Sequence, residues 1–280
     1  MLQIKSATAT ASFKTQAAEI ISFKKNGIDL EYMWQGDAAY WQGRNPILFP
    51  IVSNTYSGSY EINGKTYAMG NHGLARHQDF QVISQDTSSL TMAVTSDEAT
   101  LKQYPFEYHL QVCYRLDDTK LSIEYEVKNI GQGTMPFTIG LHPAFNVPLA
   151  AGEFSDYKLC FEKEELATKL NYDGSEEAWG PSQEISLDYE VFQREPTLVY
   201  KDLKSAYVRL TNNKEGLEVG IAGFPYLAFW CGKRAPFLCI EPWYSIGDFG
   251  PNTLKFAERP GMMSLAQQAT FNCGYYIKLL

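Results

Sequence analysis

The sequence predicts an all-β protein of antiparallel sheets, a sandwich or a barrel, on three observations. Apolar and polar residues alternate at period two along much of the 280-residue chain, Tyr, Phe and Trp make up 14% of it, and stretches of helical spacing are brief. Alternation turns one side of a strand to a core and the other to water, and aromatic rings fill pleated surfaces. Many strands without intervening helices bury their apolar faces by packing sheet on sheet or by closing into a barrel.

The elements follow from the same pattern. Asn63-Gly64 is a tight-turn signal, and Ser89 to Thr95 alternates as a short strand. Phe106, Tyr108, Leu110, Val112, Tyr114 and Leu116 then alternate with Glu107, His109, Gln111, Cys113 and Arg115. Leu121, Ile123, Tyr125 and Val127 continue the pattern after Asp117-Asp118-Thr119, so the two runs read as a hairpin. Further strands are expected at Ala206 to Thr211, Leu217 to Ile221 and Phe271 to Leu279, with a turn at Asp173-Gly174. The two helix candidates, Phe161 to Lys169 and Gly261 to Gln268, are too short to organise a core. The polar stretch Tyr172 to Ser186 reads as a surface loop, and no repeat or linker divides the chain, so residues 1–280 are expected to form a single domain.

Composition excludes several classes of function. With 24 Lys and Arg against 32 Asp and Glu, the net charge of −8 argues against nucleic acid or anionic membranes as partners, because both require clustered positive charge. Cys113, Cys160, Cys231, Cys239 and Cys273 are odd in number and contain no C-x-x-C pair, which argues against a disulfide framework and a thiolate zinc site. Met1 to Phe13 holds no signal-peptide core and no later run approaches the ~20 apolar residues that span a bilayer, so the cytoplasm is the expected location.

Few residues are placed to carry chemistry. His109 lies on the polar face of its strand and is expected to be solvated. His142, in Ile139-Gly140-Leu141-His142-Pro143-Ala144-Phe145-Asn146, is either a core histidine satisfied by a carbonyl or a proton donor at a cleft rim. His72 and His77 flank Gly73-Leu74-Ala75-Arg76 in a segment that suggests a binding loop. Glu241 ends a run, Phe237-Leu238-Cys239-Ile240, that is apolar on both faces. An acid there is either paired, with Lys233 or Arg234 as the neighbouring cations, or carries a raised pKa suited to a general base. No nucleophile elbow, P-loop or dinucleotide fingerprint is present. His72, His77 and Glu241 are metal-ligand types, but the spacing of the histidines gives no shared face, and no metal is expected.

Taken together, Trp34-Gln35-Gly36-Asp37, Asn45-Pro46-Ile47-Leu48-Phe49-Pro50, His72-Gly73-Leu74-Ala75-Arg76, Gly140-Leu141-His142-Pro143-Ala144-Phe145-Asn146 and Cys239-Ile240-Glu241-Pro242-Trp243 resemble the aldose 1-epimerase (galactose mutarotase) family, and within it the LacX-like, mutarotase-related bacterial branch. The likeness runs from about residue 18 to about residue 265, with five motifs in the family's order. It implies a large β-sandwich, the galactose mutarotase-like supersandwich, with a cleft for a hexose and no cofactor. By the same resemblance Glu241 is the general base at the anomeric hydroxyl and His142 the general acid at the ring oxygen. His72 and Arg76 would hydrogen-bond ring hydroxyls, and Trp243 and Phe145 would stack on the sugar or belong to the core.

The chain departs from the pattern at two places. Ala17-Ala18-Glu19 stands where the family usually has Gly-Ala before a Glu, and an acidic substrate-contacting position is blurred at Gln193-Arg194-Glu195-Pro196. Three alternatives remain at this point. A hexose 6-phosphate would need basic groups such as Arg44 and Arg76. A sugar-binding or regulatory protein on the same fold would lack turnover. A glycoside-cleaving enzyme would need a second buried acid, and the sequence offers none in a comparable setting.

Overall fold

The computed structural model of the protein describes residues 2–232, 234–251 and 254–280. The hairpin expected at its centre is present: Tyr108–Asp117 pairs with Lys120–Asn129 through ten antiparallel positions, from Asp117↔Lys120 to Tyr108↔Asn129. Asp118 takes φ +51° in the connecting turn. Ser89–Thr95 lies beside the first strand and Thr270–Leu279 beside the second, so the alternating apolar residues form one continuous face. Tyr114, Leu121, Ile123 and Ile277 are fully buried on it, each contributing roughly 1.5–3 kcal/mol by leaving water.

These strands belong to a 15-stranded sheet that extends to the short strands Gly140–Leu141 and Ile47–Leu48. The strand Lys158–Leu170 carries the sheet from one layer of the sandwich to the other. Its first residues pair with Tyr207–Thr211 and its last with Thr197–Lys201. Register shifts against Glu176–Ser186 between Cys160 and Ala167 mark the bend, as expected where a strand passes between packed sheets. At the bend, Glu165 is fully buried and accepts N–H groups from Lys204 and Ser205 at 2.6–3.0 Å. The two layers share one apolar cluster, in which Val112 and Ile123 join Phe229, Leu238 and Ile240.

Three local expectations are corrected. Phe161 to Lys169 is strand, because flanking strands on both sides override the helix propensity of its Glu, Ala, Lys and Leu residues. Within Gly261 to Gln268, Met263–Leu265 is a strand paired with Met135–Phe137. Tyr172 to Ser186 is mostly the strand Glu176–Ser186, which packs on the core only through Trp179 and Ile185 and is otherwise largely exposed, so it carries no regular period. Among the described residues the α-helices are Glu98–Leu101 and Tyr189–Arg194, and no helix is long and apolar enough to cross a membrane.

The departure at Ala17-Ala18 has a backbone counterpart. Both alanines hold positive φ, +55° and +49°, a region that favours glycine. They turn the chain so that Glu19 is buried, where it pairs with Lys14 at 2.6 Å and accepts the N–H groups of Arg44 and Asn45.

One row of the sheet defines the floor of a cleft. Glu241 pairs with Ala228, Ala228 with Val199, and Val199 with Leu170, across four adjacent strands. Directly paired residues share a face, so the four side chains stand in line. The wall beside it is the loop carrying His72, which approaches the Phe49 backbone. Gly73 has φ +72°, and a Cβ on it would lie 2.3 Å from the Phe49 carbonyl oxygen. Gly73→Ala is therefore expected to destabilise the protein by about 2 kcal/mol or more in urea titration, and an unchanged midpoint would contradict this packing.

Candidate functional site

The strand Phe237–Trp243 is buried along its whole length. Leu238 and Ile240 enter the sandwich core, while Phe237, Cys239, Glu241 and Trp243 occupy the other face. His142 follows the strand Gly140–Leu141, and the next strand, Ala144–Asn146, pairs Ala144 with Cys239. The Ile240 N–H donates to the Pro143 carbonyl at 3.1 Å, which brings the His142 turn alongside Glu241. The His142 Nε2 and Glu241 Oε2 atoms are 3.3 Å apart, and both side chains are almost wholly buried. Gly140 lies opposite Trp243, and a Cβ there would come within 2.8 Å of the indole, so glycine lets that ring lie against the neighbouring strand.

Three aromatic groups hold His142. Trp41 stacks on it at 4.8 Å between centroids and 30° between planes, and Trp230 and His72 meet it edge-on at 5.6 and 5.3 Å. Trp41 is itself fixed by the Trp34 indole N–H, which donates to the Trp41 carbonyl at 2.8 Å. The Ser53 backbone N–H donates to His72 Nδ1 at 3.0 Å. A peptide N–H can only donate, so His72 is the neutral tautomer with its proton on Nε2.

The electrostatics are those of a site with little water. Burial raises Glu241 well above its ordinary value, more strongly than the Trp243 indole N–H and the Arg76 guanidinium lower it. Among the described residues the indole N–H and Glu241 Oε1 make no hydrogen bond, and Glu241 Oε2 has the contact with His142 Nε2 at 3.3 Å. Burial lowers His142 well below 6.5, helped by His72 and Arg76. Burial and Arg76 bring His72 down to about 3. Burial therefore favours the neutral form of each partner, a carboxyl with one titratable proton beside an imidazole. Moving that proton across the contact gives carboxylate and imidazolium at the same total charge.

Glu241, His142, His72, Arg76 and Trp243 line a single cleft of about 620 Å³. Phe145 does not line it. It is fully buried and pairs with Leu238, so it faces the sandwich core rather than the cleft. Of the two cations considered as partners for Glu241, Arg234 lies 4.0 Å from Glu190, and Lys233 falls outside the described residues. His77 opens onto a separate cavity. Arg44 donates to the Gln35 carbonyl at 2.6 Å, and Glu195 pairs with Lys169 at 2.6 Å, so neither reaches the cleft.

Sequence reasoning missed Trp41, Trp230, Tyr172, Asp248 and Phe249 in the lining. Trp41 and Trp230 were legible only as two of five tryptophans, since neither sits in a chemically marked motif. A further grouping also emerges: His142, Cys239 and Glu241 each bring one possible metal-ligand atom within 4.8 Å of the others. Burial raises the Cys239 thiol well above its ordinary value, and Glu241 opposes its ionisation, so the grouping favours the protonated thiol over the thiolate that metals bind.

The raised Glu241 pKa has a definite sign in stability. Its contribution is fully present below the unfolded carboxyl pKa and is lost as pH rises through the folded value. Glu241→Gln, which cannot ionise, should therefore gain in Tm relative to wild type as pH rises from 5 through 9. A Tm difference independent of pH would contradict the burial argument.

Residues 1–245 match the aldose 1-epimerase family. The chain is 32% identical over 262 residues to the chromosomal protein LacX of Lactococcus lactis subsp. lactis, covering 86% of this chain and 87% of that protein. A galactose mutarotase related enzyme from Lactobacillus acidophilus superposes with a TM-score of 0.94 at 29% identity, over 100% of this chain and 97% of that one. A galactose mutarotase-like protein from Lactobacillus casei does so at 0.94 and 30% identity, over 100% of both chains. The supersandwich, its motifs in order and these relatives along nearly the whole length make the chain a member of the aldose 1-epimerase family.

Proposed function

We propose that the protein interconverts the α and β anomers of a free hexose, with Glu241 and His142 as the acid–base pair. The observation that carries this reading is the buried Nε2–Oε2 approach of 3.3 Å at the cleft. Ring opening removes one proton and delivers one. In the carboxylate–imidazolium form, Glu241 takes the proton of the anomeric hydroxyl and the C1–O1 double bond forms as C1–O5 breaks. His142 protonates O5. After rotation about C1–C2 the new hydroxyl attacks the other face of the aldehyde, and the two protons return. The cycle balances without an oxidant or reductant, and each proton transfer is worth on the order of 10²–10⁴ in rate.

The remaining lining suits this role. The His72 Nε2–H is a fixed donor, since Ser53 occupies the other nitrogen. The Trp243 indole N–H makes no hydrogen bond among the described residues and can donate to a sugar hydroxyl. Arg76 favours the negative form of Glu241 and supplies further donors. Trp41, Trp230 and Trp243 offer ring faces and edges to the apolar side of a pyranose. Among the described residues Arg76 is the sole Lys or Arg in the lining, which favours a neutral sugar over a 6-phosphate.

Polarimetry of fresh α-D-galactose and α-D-glucose tests the reading. Wild type should accelerate the change in rotation, and Glu241→Gln and His142→Asn should each lower kcat by about 10²–10⁴. A wild-type rate equal to that of buffer with both sugars would sink it, and sugar binding by calorimetry without turnover would identify a binding protein instead. The active pair holds one proton, so kcat/KM should be bell-shaped in pH. Because burial lowers His142 and raises Glu241, the acid limb should lie below 6.5 and the alkaline limb well above 4.5. A profile flat from pH 3 to 10 would contradict the assignment.

A further inference from the structure

We propose that His142, Cys239 and Glu241 form an open site for one thiophilic divalent cation, Zn²⁺ by its ligand chemistry, and that the bound ion shuts off the acid–base pair by taking its two proton-carrying atoms. The metal site stands apart from the epimerase reading, while the block on turnover rests on it.

The sheet brings the three donors together. Cys239 and Glu241 are alternate residues of one strand and project from the same face, the arrangement that two ligands on a strand require. Ala144 pairs with Cys239, so two residues further along the antiparallel register His142 comes beside Glu241. One sulfur, one imidazole nitrogen and one carboxylate oxygen lie within 4.8 Å of one another. The Nε2–Oε2 separation of 3.3 Å already matches a coordination edge, because bonds of about 2.0–2.1 Å meeting at the tetrahedral angle put N and O about 3.3–3.4 Å apart. With a metal–sulfur bond of about 2.3 Å, closing the triangle takes at most about 1.2 Å of side-chain movement shared among the three groups.

Charge and chemistry agree with the geometry. Sulfur and imidazole nitrogen select a zinc-like ion over the oxygen-seeking Mg²⁺ and Ca²⁺. All three residues are buried, where a net charge is costly. A dication with one thiolate, one carboxylate and a neutral imidazole sums to zero. The thiol releases its proton to solvent as the metal–sulfur bond forms, and the carboxyl releases its own as the metal–oxygen bond forms, so two protons leave for one dication. Glu241 Oε1 makes no hydrogen bond among the described residues, which leaves a buried acceptor for the ion. His72 is not a fourth ligand, since the Ser53 N–H on its Nδ1 keeps the ring proton on Nε2. The fourth position falls on the side of the cleft that His142 and Glu241 line, which supplies the entry path and a place for water.

Co²⁺, which occupies zinc sites and absorbs light, is the probe. It is titrated into reduced, chelator-treated wild type, Cys239→Ala, Cys239→Ser, Glu241→Gln and, as a control, Cys113→Ser. Wild type and Cys113→Ser should bind one equivalent with a near-ultraviolet sulfur-to-cobalt charge-transfer band that one equivalent of Zn²⁺ removes. The Cys239 variants should lose the band and bind Zn²⁺ about 100-fold more weakly, because losing even an outer-shell partner of a ligand costs about 10–100-fold. Glu241→Gln should weaken binding at least tenfold, which keeps the test decisive if the Cys239 variants have a lowered Tm. A wild type without the band, a band that survives in folded Cys239 variants, or full affinity in Glu241→Gln would overturn the site. In polarimetry, with each rate taken relative to the same protein without metal, Zn²⁺ should inhibit wild type over the range that fills the site, and EDTA should restore the rate. Binding that depends on Cys239 yet leaves anomer exchange unaffected would overturn the block on the pair. No exchange by metal-free wild type would overturn the epimerase reading, and the cobalt spectra would still decide the site.

Discussion

The site depends on one constraint: a carboxyl group is held on a strand that is apolar on both faces and meets a histidine at 3.3 Å, with the Cys239 thiol close by. Desolvation would make an isolated carboxylate there expensive. Among the described residues no Lys or Arg forms a salt bridge with it; Arg76 acts at a distance, and the cation whose placement is described next to the strand, Arg234, is drawn toward Glu190. Burial therefore favours a single proton shared by the pair. The aromatic box of Trp41, Trp230 and His72 keeps water away from it, and the Ser53 N–H prevents His72 from competing for that proton.

The surrounding fold serves this constraint. A long strand bent at Glu165 lets one ladder form both layers, so the strand bearing Glu241 can be buried on its core side by the sandwich and on its other side by loops. Those loops are held by backbone geometry that few residues tolerate, as at Gly73 against Phe49 and at His72, whose own φ is +64°. Holding a substrate-binding candidate in a sparsely populated backbone region fixes its ring at a cost in stability.

Much of this was legible in the sequence, and the failures have physical causes. The central hairpin was readable because one face of each strand is buried, which gives a clean period of two. Glu241 stood out because its neighbours on both faces are apolar, and His142 because it interrupts an apolar strand end. Glu176–Ser186 was missed because only Trp179 and Ile185 pack on the core, too few to set a period, and Lys158–Leu170 because bulges break its alternation. Phe145 was adjacent in sequence to the candidate acid, yet strand parity turns it to the opposite face. Trp41 and Trp230 come together only through sheet register and a loop anchored by Trp34, which one-dimensional spacing does not encode.

At neutral pH the Glu241–His142 pair is expected to carry one proton, resting on the carboxyl. Difference infrared spectroscopy of wild type against Glu241→Gln, titrated from pH 4 to 9, measures this directly. A protonated-carboxyl stretch specific to Glu241 should persist through pH 7. A carboxylate signal already complete near the ordinary value of 4.5, with His142 unprotonated, would contradict it.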